Sequence, residues 1–508
     1  MKLLKQFIQQ ETVLTAAAVL AVVSAFFVPP DAQYLGYIDL RTLAILFSLM
    51  TVMAGLRRQG FFDGLGRTLL SRTHSTFQLT MVLVGLCFFG SMFITNDVSL
   101  LTFVPFTFVV LNRLGADVRR ALLIPVVCMQ TVAANLGSML TPIGNPQNLY
   151  LYGKSGMSIG GFVLLMLPYT LVSLLLLLAW AALVCRKTSA ALSVDELVSS
   201  SASQGDQKII LLYLVLFAVC LLSVIRVLPY GIAFAAVLVC ALFADPRTLR
   251  TVDYSLLLTF VAFFIFIGNL GRIPAFSGWL QEFLTGREVL VAVLASQVTS
   301  NVPAALLLSG FTAETQALII GTNLGGLGTL IASMASLISY RQIARELPQG
   351  KKQYFGLFTL SNLIFLAILL GVPIGVLTAV FLAETAPKPL SKIVHPAIEL
   401  LAGIPSVIYG LLGILLLCPA MYKLEQKIFA GSATHQFTGG ANLISAVLVL
   451  AIMILPTVIN ISESALRSVP ASLKAASLGL GASKIQTIFR VTIPAAKSGI
   501  ATAIVLGV

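Results

Sequence analysis

Long apolar runs recur along this 508-residue chain, and only short polar loops separate them. "VLTAAAVLAVVSAFFV" and "FVLLMLPYTLVSLLLLLAWAALVC" are two of them. A bilayer core of about 30 Å takes roughly 20 apolar residues of helix, so repeated runs of this length specify a polytopic membrane protein. In lipid every backbone N–H and C=O needs a partner within the chain, so helices are expected and isolated strands are not. Composition agrees: 58% of residues are hydrophobic and 10% charged, whereas a soluble domain is about a quarter charged.

The formal net charge is +13. It sits in short loops such as "GLRRQG" and "NRLGADVRR", as expected of cytoplasmic loops rather than of a nucleic-acid surface. The six cysteines (Cys87, Cys128, Cys185, Cys220, Cys240, Cys418) form no CxxC pair, and His74, His395 and His435 lie far apart. Packing is the expected role of the cysteines, and no metal site is expected. No Walker glycine loop and no nucleophile with a plausible base is visible, so an enzyme is not expected. The N-terminal run resembles a signal peptide only superficially and reads as a retained first helix.

The sequence predicts spans at 12–29, 38–56, 120–152, 158–184, 209–226, 229–244, 254–271 and 313–339. Apolar pairs are predicted at 77–94 with 98–112 and around 288–312. Beyond these, spans are expected at 353–371, 370–384, 398–418, 442–460 and from 494. A polar linker at 186–208 separates two halves, 1–185 and 209–370, that resemble each other. The first carries "SMFITNDVSLLTFVPF" and "AANLGSMLTPIGNPQNLYLY"; the second carries "QVTSNVPAALLLSGF" and "IGTNLGGLGTLIASMASLIS". Each half thus has an apolar segment broken at an Asn-containing triplet, then Asn-Leu-Gly and a Gly/Ser/Thr-rich interruption. Paired interruptions of this kind mark the binding site of secondary transporters. Arginines flank the first pair (Arg57, Arg58, Arg67 and Arg72 before; Arg113, Arg119 and Arg120 after). The residues flanking the second (Arg272, Glu282, Arg287, Glu288) sum to zero. The pairs are therefore expected to enter from opposite faces, as an inverted repeat.

Broken helices free backbone groups that lipid tolerates only beside a cavity or ligand. Freed N–H groups and positive helix ends favour an anion, and freed carbonyls favour Na⁺. Asn96, Asn301, Asn135 and Asn323 read as a repeated ligand set, with helix capping and inter-helix hydrogen bonding as the ordinary alternatives. Asp97 is the acid of the interrupted regions: it reads as a coupling-ion or proton site, or as an N-cap for Val98 onward. The second interruption, "TPIGNPQNLY" (141–150), reads as unwound. Arg226 is expected to mark the external surface.

"ITNDVSLLTFVPF", "ANLGSMLTPIGNPQNLYLY" and "TSNVPAALLLSGF" resemble the ion-transporter superfamily of arsenite permeases, divalent anion–sodium symporters, citrate carriers and some sodium–proton antiporters. The resemblance covers about residues 10–370. It implies two re-entrant hairpins, with Thr95, Asn96 and Asp97 at one tip and Ser300 and Asn301 at the other. It further implies ligands in the stretch from Asn135 to Asn148 (Gly137, Thr141, Gly144 and Asn145 between them) and in Thr322, Asn323, Gly325, Thr329 and Ser333. The symporter branch has Ser-Asn-Thr at its tips. Thr-Asn-Asp and Ser-Asn-Val here leave proton coupling or another anion open.

From about residue 371 a second resemblance begins. "PIGVLTAVFLAETAPKPLSKIVHPAIELLAGIPSVIYGLLGI" and "ILPTVINISESALRSVPASLKAASLGLGASKIQTIFRVTIPAAKSG" are similar to the permease subunit of a phosphate ABC importer. This implies a partial type I permease module over 371–508 with a cytoplasmic loop, 461–494, that docks an ATPase. Gly481 and Pro494 fit its motif, and Ala475 stands where Glu is usual. Lys474, Lys484, Arg490 and Lys497 make the loop basic, while Glu399 and Glu463 read as interfacial. Such a module implies an ATPase, a second permease and a substrate-binding protein as partners; a second copy of this chain is a further candidate. Between Lys352 and Lys388 only about 30 apolar residues lie, barely two short spans, and one long helix would reverse the side on which the loop emerges. A fusion of two unrelated frames would produce such a junction.

The expectation is therefore an all-α transporter in the cytoplasmic membrane of a prokaryote. It carries a small inorganic or carboxylate anion, with coupling Na⁺ or H⁺ and no cofactor. The rivals are an ATP-driven phosphate-importer subunit and a non-transporting scaffold.

Overall fold

Helices follow the apolar runs closely. The computed structural model describes residues 11–71, 73–112, 114, 116–186, 206–429, 439–440 and 443–507. Among these there is no β-strand, and nine helices are long and apolar enough to cross a membrane. Most of the 186–208 linker, His435, Arg72 and Arg113 lie outside the described residues. Two compact units divide the chain, Met1–Thr359 and Leu360–Val508.

The first unit begins with α1 (Thr12–Phe27), α2 (Leu40–Arg58) and a short amphipathic α3 (Phe61–Leu70). A hairpin follows, α4 (Thr76–Ile94) and α5 (Asn96–Asn112), then a broken helix, α6 (Ala116–Gly137) and α7 (Pro146–Ser155). Four long helices come next: α8 (Ile159–Cys185), α9 (Gln207–Val224), α10 (Tyr230–Ala244) and α11 (Tyr254–Gly271). After α12 (Pro274–Leu284) the pattern repeats, with hairpin α13 (Glu288–Thr299) and α14 (Asn301–Ser309) and broken helix α15 (Thr315–Leu324) and α16 (Met334–Glu346). Each hairpin packs on the first half of its own broken helix, α4 and α5 on α6, α13 and α14 on α15.

Contacts at the helix ends define two faces. On one, Arg58 pairs with Asp245 at 3.4 Å and Gln59 accepts from the Asp206 N–H at 3.1 Å. On the other, Arg272 pairs with Asp31 at 2.8 Å and Arg226 donates to the Tyr152 and Gly153 carbonyls. Between the hairpins the chain crosses at α6–α7, α8, α9, α10 and α11. That is an odd number, so the hairpins enter from opposite faces. The first face carries Arg57, Arg58, Arg119, Arg120, Arg247, Arg250, Arg341, Arg345, Lys351 and Lys352, which makes it cytoplasmic.

One expectation is corrected at the junction. Instead of separate spans at 353–371 and 370–384 there is one helix, α17 (Lys351–Val380), ending in a wider turn, Phe381–Thr385. Its 30 residues measure about 45 Å. From Leu363 to Ala383 the only side chain with a polar group is Thr378. A loop there would leave backbone groups in lipid without partners, whereas a helix satisfies them. The division between the units falls inside α17, short of the expected 370/371.

In the second unit come α18 (Lys388–Ala402), α19 (Ser406–Leu412), α20 (Cys418–Phe429), α21 (Leu443–Arg467), α22 (Ala471–Gly479) and α23 (Lys497–Gly507). α21 packs against α18 and α23 around a core that includes Ile398, Ile459, Leu466 and Ile500. Residues 461–467, expected in the docking loop, continue α21. Glu463, near the end of α21, is 2% exposed and 2.7 Å from both His395 and Arg467.

Candidate functional site

Three non-glycine residues among those described have positive φ: Thr95 (60°), Ser300 (75°) and Arg226 (65°). Two of them are the hairpin tips. Such backbone costs on the order of 1–3 kcal/mol and persists where its surroundings over-determine it. The surroundings here match in both repeats. The Asn96 N–H donates to the Gly144 carbonyl at 3.2 Å, and the Asn301 N–H to the Ala332 carbonyl at 3.0 Å. Gly144 lies seven residues after Gly137, as Ala332 lies seven after Gly325. Four residues before each tip is a fully buried serine, Ser91 or Ser296. Added at Gly137 or Gly325, a Cβ would sit 2.8 or 2.6 Å from that serine's Oγ, so glycine allows the hairpin to seat.

The two broken helices exchange side-chain bonds across the repeat. Asn135 accepts from Ser333 Oγ at 2.9 Å and from Asn96 Nδ2 at 3.1 Å, and donates to Ser336 Oγ at 3.3 Å. Asn323 mirrors it, donating to Asn148 Oδ1 at 2.7 Å and accepting from Asn145 Nδ2 at 3.5 Å. Asn145 also donates to Ser138 Oγ at 2.7 Å. Thr141, Thr322 and Thr329 each donate to a backbone carbonyl, of Met92, Leu318 and Gln297.

A cavity of about 150 Å³ lies between the tips, lined by Asn96, Asp97, Pro146, Gln147, Ser300, Asn301, Ser333 and Met334. The first residues of α5, α7, α14 and α16 all border it, so four positive helix ends converge on one space. The cavity extends past Glu11, Asp253 and Arg341, which places its mouth on the basic, cytoplasmic face. On the opposite side, Lys154 donates to the Ser309 carbonyl and the Tyr150 hydroxyl meets Ser309 Oγ at 2.9 Å, tying α7 to α14.

The sequence-predicted residues thus sort into two sets. Asn96, Asp97, Ser300, Asn301 and Ser333 line the cavity; Thr95, Asn135, Gly137, Thr141, Gly144, Asn145, Asn148, Thr322, Asn323, Gly325 and Thr329 form the frame behind it. Asp97 shows no capping bond: its N–H donates to Asn96 Oδ1 at 2.9 Å, and its own Oδ1 is buried without a partner. Gln147 was missed. It is fully buried, and neither its amide oxygen nor its nitrogen has a partner. Its signal lay inside "GNPQNLY", as a polar residue in the first turn of a helix restarted by proline. Arg226 lies on the non-cytoplasmic face and holds the last carbonyls of α7.

In the second unit Ala475, Gly481 and Pro494 are exposed. Gly481 has φ 85°, Lys474 binds Glu384, and Ser483 with Gln486 forms a reciprocal cap.

Residues 7–319 match the family model described as citrate transporter. Residues 371–508 match that of the binding-protein-dependent transport system inner membrane component. The chain is 34% identical over 326 residues to inner membrane protein YbiR of Escherichia coli, covering 62% of this chain and 84% of the relative. It is 31% identical over 307 residues to an uncharacterized transporter of Methanocaldococcus jannaschii, covering 60% and 81%. At the C-terminal end it is 36% identical over 151 residues to phosphate transport system permease protein PstC of Mesorhizobium japonicum, 28% of this chain and 46% of the relative. The chain spans about half the length of such permeases. It is an integral membrane transporter of the plasma membrane, and by the match over most of its length it belongs to the citrate transporter family.

Proposed function

We propose that the first unit performs secondary active transport of a small anion, with a di- or tricarboxylate such as citrate as the first candidate, driven by Na⁺ or H⁺. The cavity between the tips carries this reading. Four helix N-termini supply partial positive charge for an anion, and the unpartnered Gln147 amide offers both a donor and an acceptor. Asp97, with a free carboxylate oxygen beside the anion space, is the group for the coupling cation. A carboxylate next to an anion site is costly unless a cation or proton accompanies it, which links the two loads. Asn135 and Asn323 hold the frame, and Asn96, Ser300, Asn301 and Ser333 complete the polar lining.

The test is uptake of labelled citrate, other carboxylates and inorganic oxyanions into ATP-free proteoliposomes under a Na⁺ or H⁺ gradient. Uptake that follows one gradient supports the reading. Uptake that needs ATP and a cytoplasmic ATPase refutes it.

A second reading rests on the exposed Ala475–Gly481–Pro494 loop. In it the second unit docks an ATPase and works with a further permease and a binding protein in phosphate import. Pull-down of an ATPase that is lost on Gly481→Trp would support it.

A further inference from the structure

A groove separate from the transport cavity runs between α2, α3, α4 and α9. Its volume is about 450 Å³, and every residue lining it is apolar or glycine, including Met53, Leu65, Phe89, Leu214 and Phe217. It follows α4 from Val82 to Ile94, about 18 Å at 1.5 Å per residue. Half of a bilayer's hydrocarbon core is about 15 Å. The groove therefore spans one leaflet.

Its cytoplasmic end is bordered by α3. There Gly60, at φ 69°, turns the chain from α2 into α3. Phe61, Leu65 and Leu69 of α3 line the groove, while Asp63 and Thr68 lie away from it, the pattern of an interfacial helix. Arg57 follows Met53 by one turn of α2, so it stands above the groove's wall on the same side; it is exposed. Arg58 beside it pairs with Asp245 at 3.4 Å. The floor is open at Gly85, where a Cβ would find its nearest neighbour, a Phe89 ring carbon, at 3.9 Å.

We propose that this groove binds one acyl chain of an anionic phospholipid from the cytoplasmic leaflet, with the headgroup phosphate at Arg57. The apolar lining matches the chain, the length matches a leaflet, and Arg57 matches the phosphate, which a guanidinium can hold with two parallel donors. The inner end reaches Ile94, the residue before tip residue Thr95. The lipid chain thus lies along the hairpin arm that carries Asn96 and Asp97. The site does not depend on which ion is transported.

The full chain is reconstituted with Phe89→Trp as a reporter and titrated with phosphatidylglycerol or phosphatidylcholine carrying brominated chains. The expected result is preferential quenching by phosphatidylglycerol, by about fivefold for one well-placed arginine. Arg57→Gln removes the preference while quenching by both lipids persists. Gly85→Leu, which fills the floor, reduces quenching by both. Equal quenching by the two lipids in the Arg57 parent, unchanged by Arg57→Gln, shows ordinary boundary lipid and overturns the proposal. If Gly85→Leu proves unstable, the exposed Arg57→Gln decides alone.

Discussion

At the scale of the residue, two side chains separate cavity lining from frame. Asp97 and Gln147 both reach the cavity with polar atoms that nothing in the protein satisfies, whereas Asn135 and Asn323 are bonded on several sides. Asp97→Asn keeps the size of the side chain and removes its charge, so gradient-driven uptake is expected to be lost while membrane insertion and yield are unchanged. Undiminished coupled uptake in that variant would remove the role given to Asp97. Gln147→Leu removes a donor and an acceptor at nearly constant volume. A hydrogen bond to a charged group contributes about 1.5–3 kcal/mol, so KM for the anion is expected to rise about tenfold or more. Saturation curves at fixed gradient measure it, and an unchanged KM would place Gln147 outside the binding site.

At the scale of the element, the two hairpins and two broken helices form a frame with an internal twofold logic. Each break receives a tip N–H, each Asn-Leu-Gly places an asparagine toward the other repeat, and each glycine seats a serine. Asn135→Ala removes the shared acceptor of Asn96 Nδ2 and Ser333 Oγ, leaving them only a 3.5 Å contact with each other, and Asn323→Ala strands Asn148 Oδ1 while Asn145 Nδ2 keeps Ser138 Oγ. Each variant is expected to lose about 1–3 kcal/mol of stability, read as comparable falls in thermal unfolding temperature in detergent. An effect confined to one repeat would show that the cross-repeat bonds do not share the load. Gly137→Leu drives a side chain into Phe88, whose carbonyl would lie 2.0 Å from the new Cβ, so α6 and α4 are expected to separate and purified yield to collapse.

At the scale of the whole molecule, the crossings and the basic face make the cavity accessible from the cytoplasm. Val302→Cys, on the cavity wall, is expected to react with a membrane-impermeant maleimide in inside-out vesicles and not in right-side-out ones, with the cysteine background controlled by the unmutated chain. Labelling from the outside alone would reverse the assigned sidedness. The second unit has its own core and its own charge cluster, the buried Glu463 with the half-buried His395 and the exposed Arg467. Ion-driven transport is proposed for the first unit, so a chain ending after residue 385 is expected to keep gradient-driven uptake. Loss of that uptake in a truncated protein that still inserts and unfolds cooperatively would tie transport to the second unit.

The sequence by itself determined the membrane class, the two similar halves, the positions of both hairpins and breaks, and the change of character beyond residue 370. These follow from local facts: apolar run length, loop charge, and polar triplets inside apolar segments. The place of Asn96, Asp97 and Asn301 at the hairpin tips was legible for the same reason, because a polar residue in lipid needs a partner. Only the tertiary structure decided which asparagines face the cavity and which face each other, since that depends on residues some 200 positions apart, such as Asn135 and Ser333. It alone exposed Gln147, whose significance is the lack of a partner, and Glu463, whose burial depends on α18. It also turned the expected pair of short spans into α17, because an unbroken apolar run holds its backbone bonds more cheaply as one helix than as two helices and a loop.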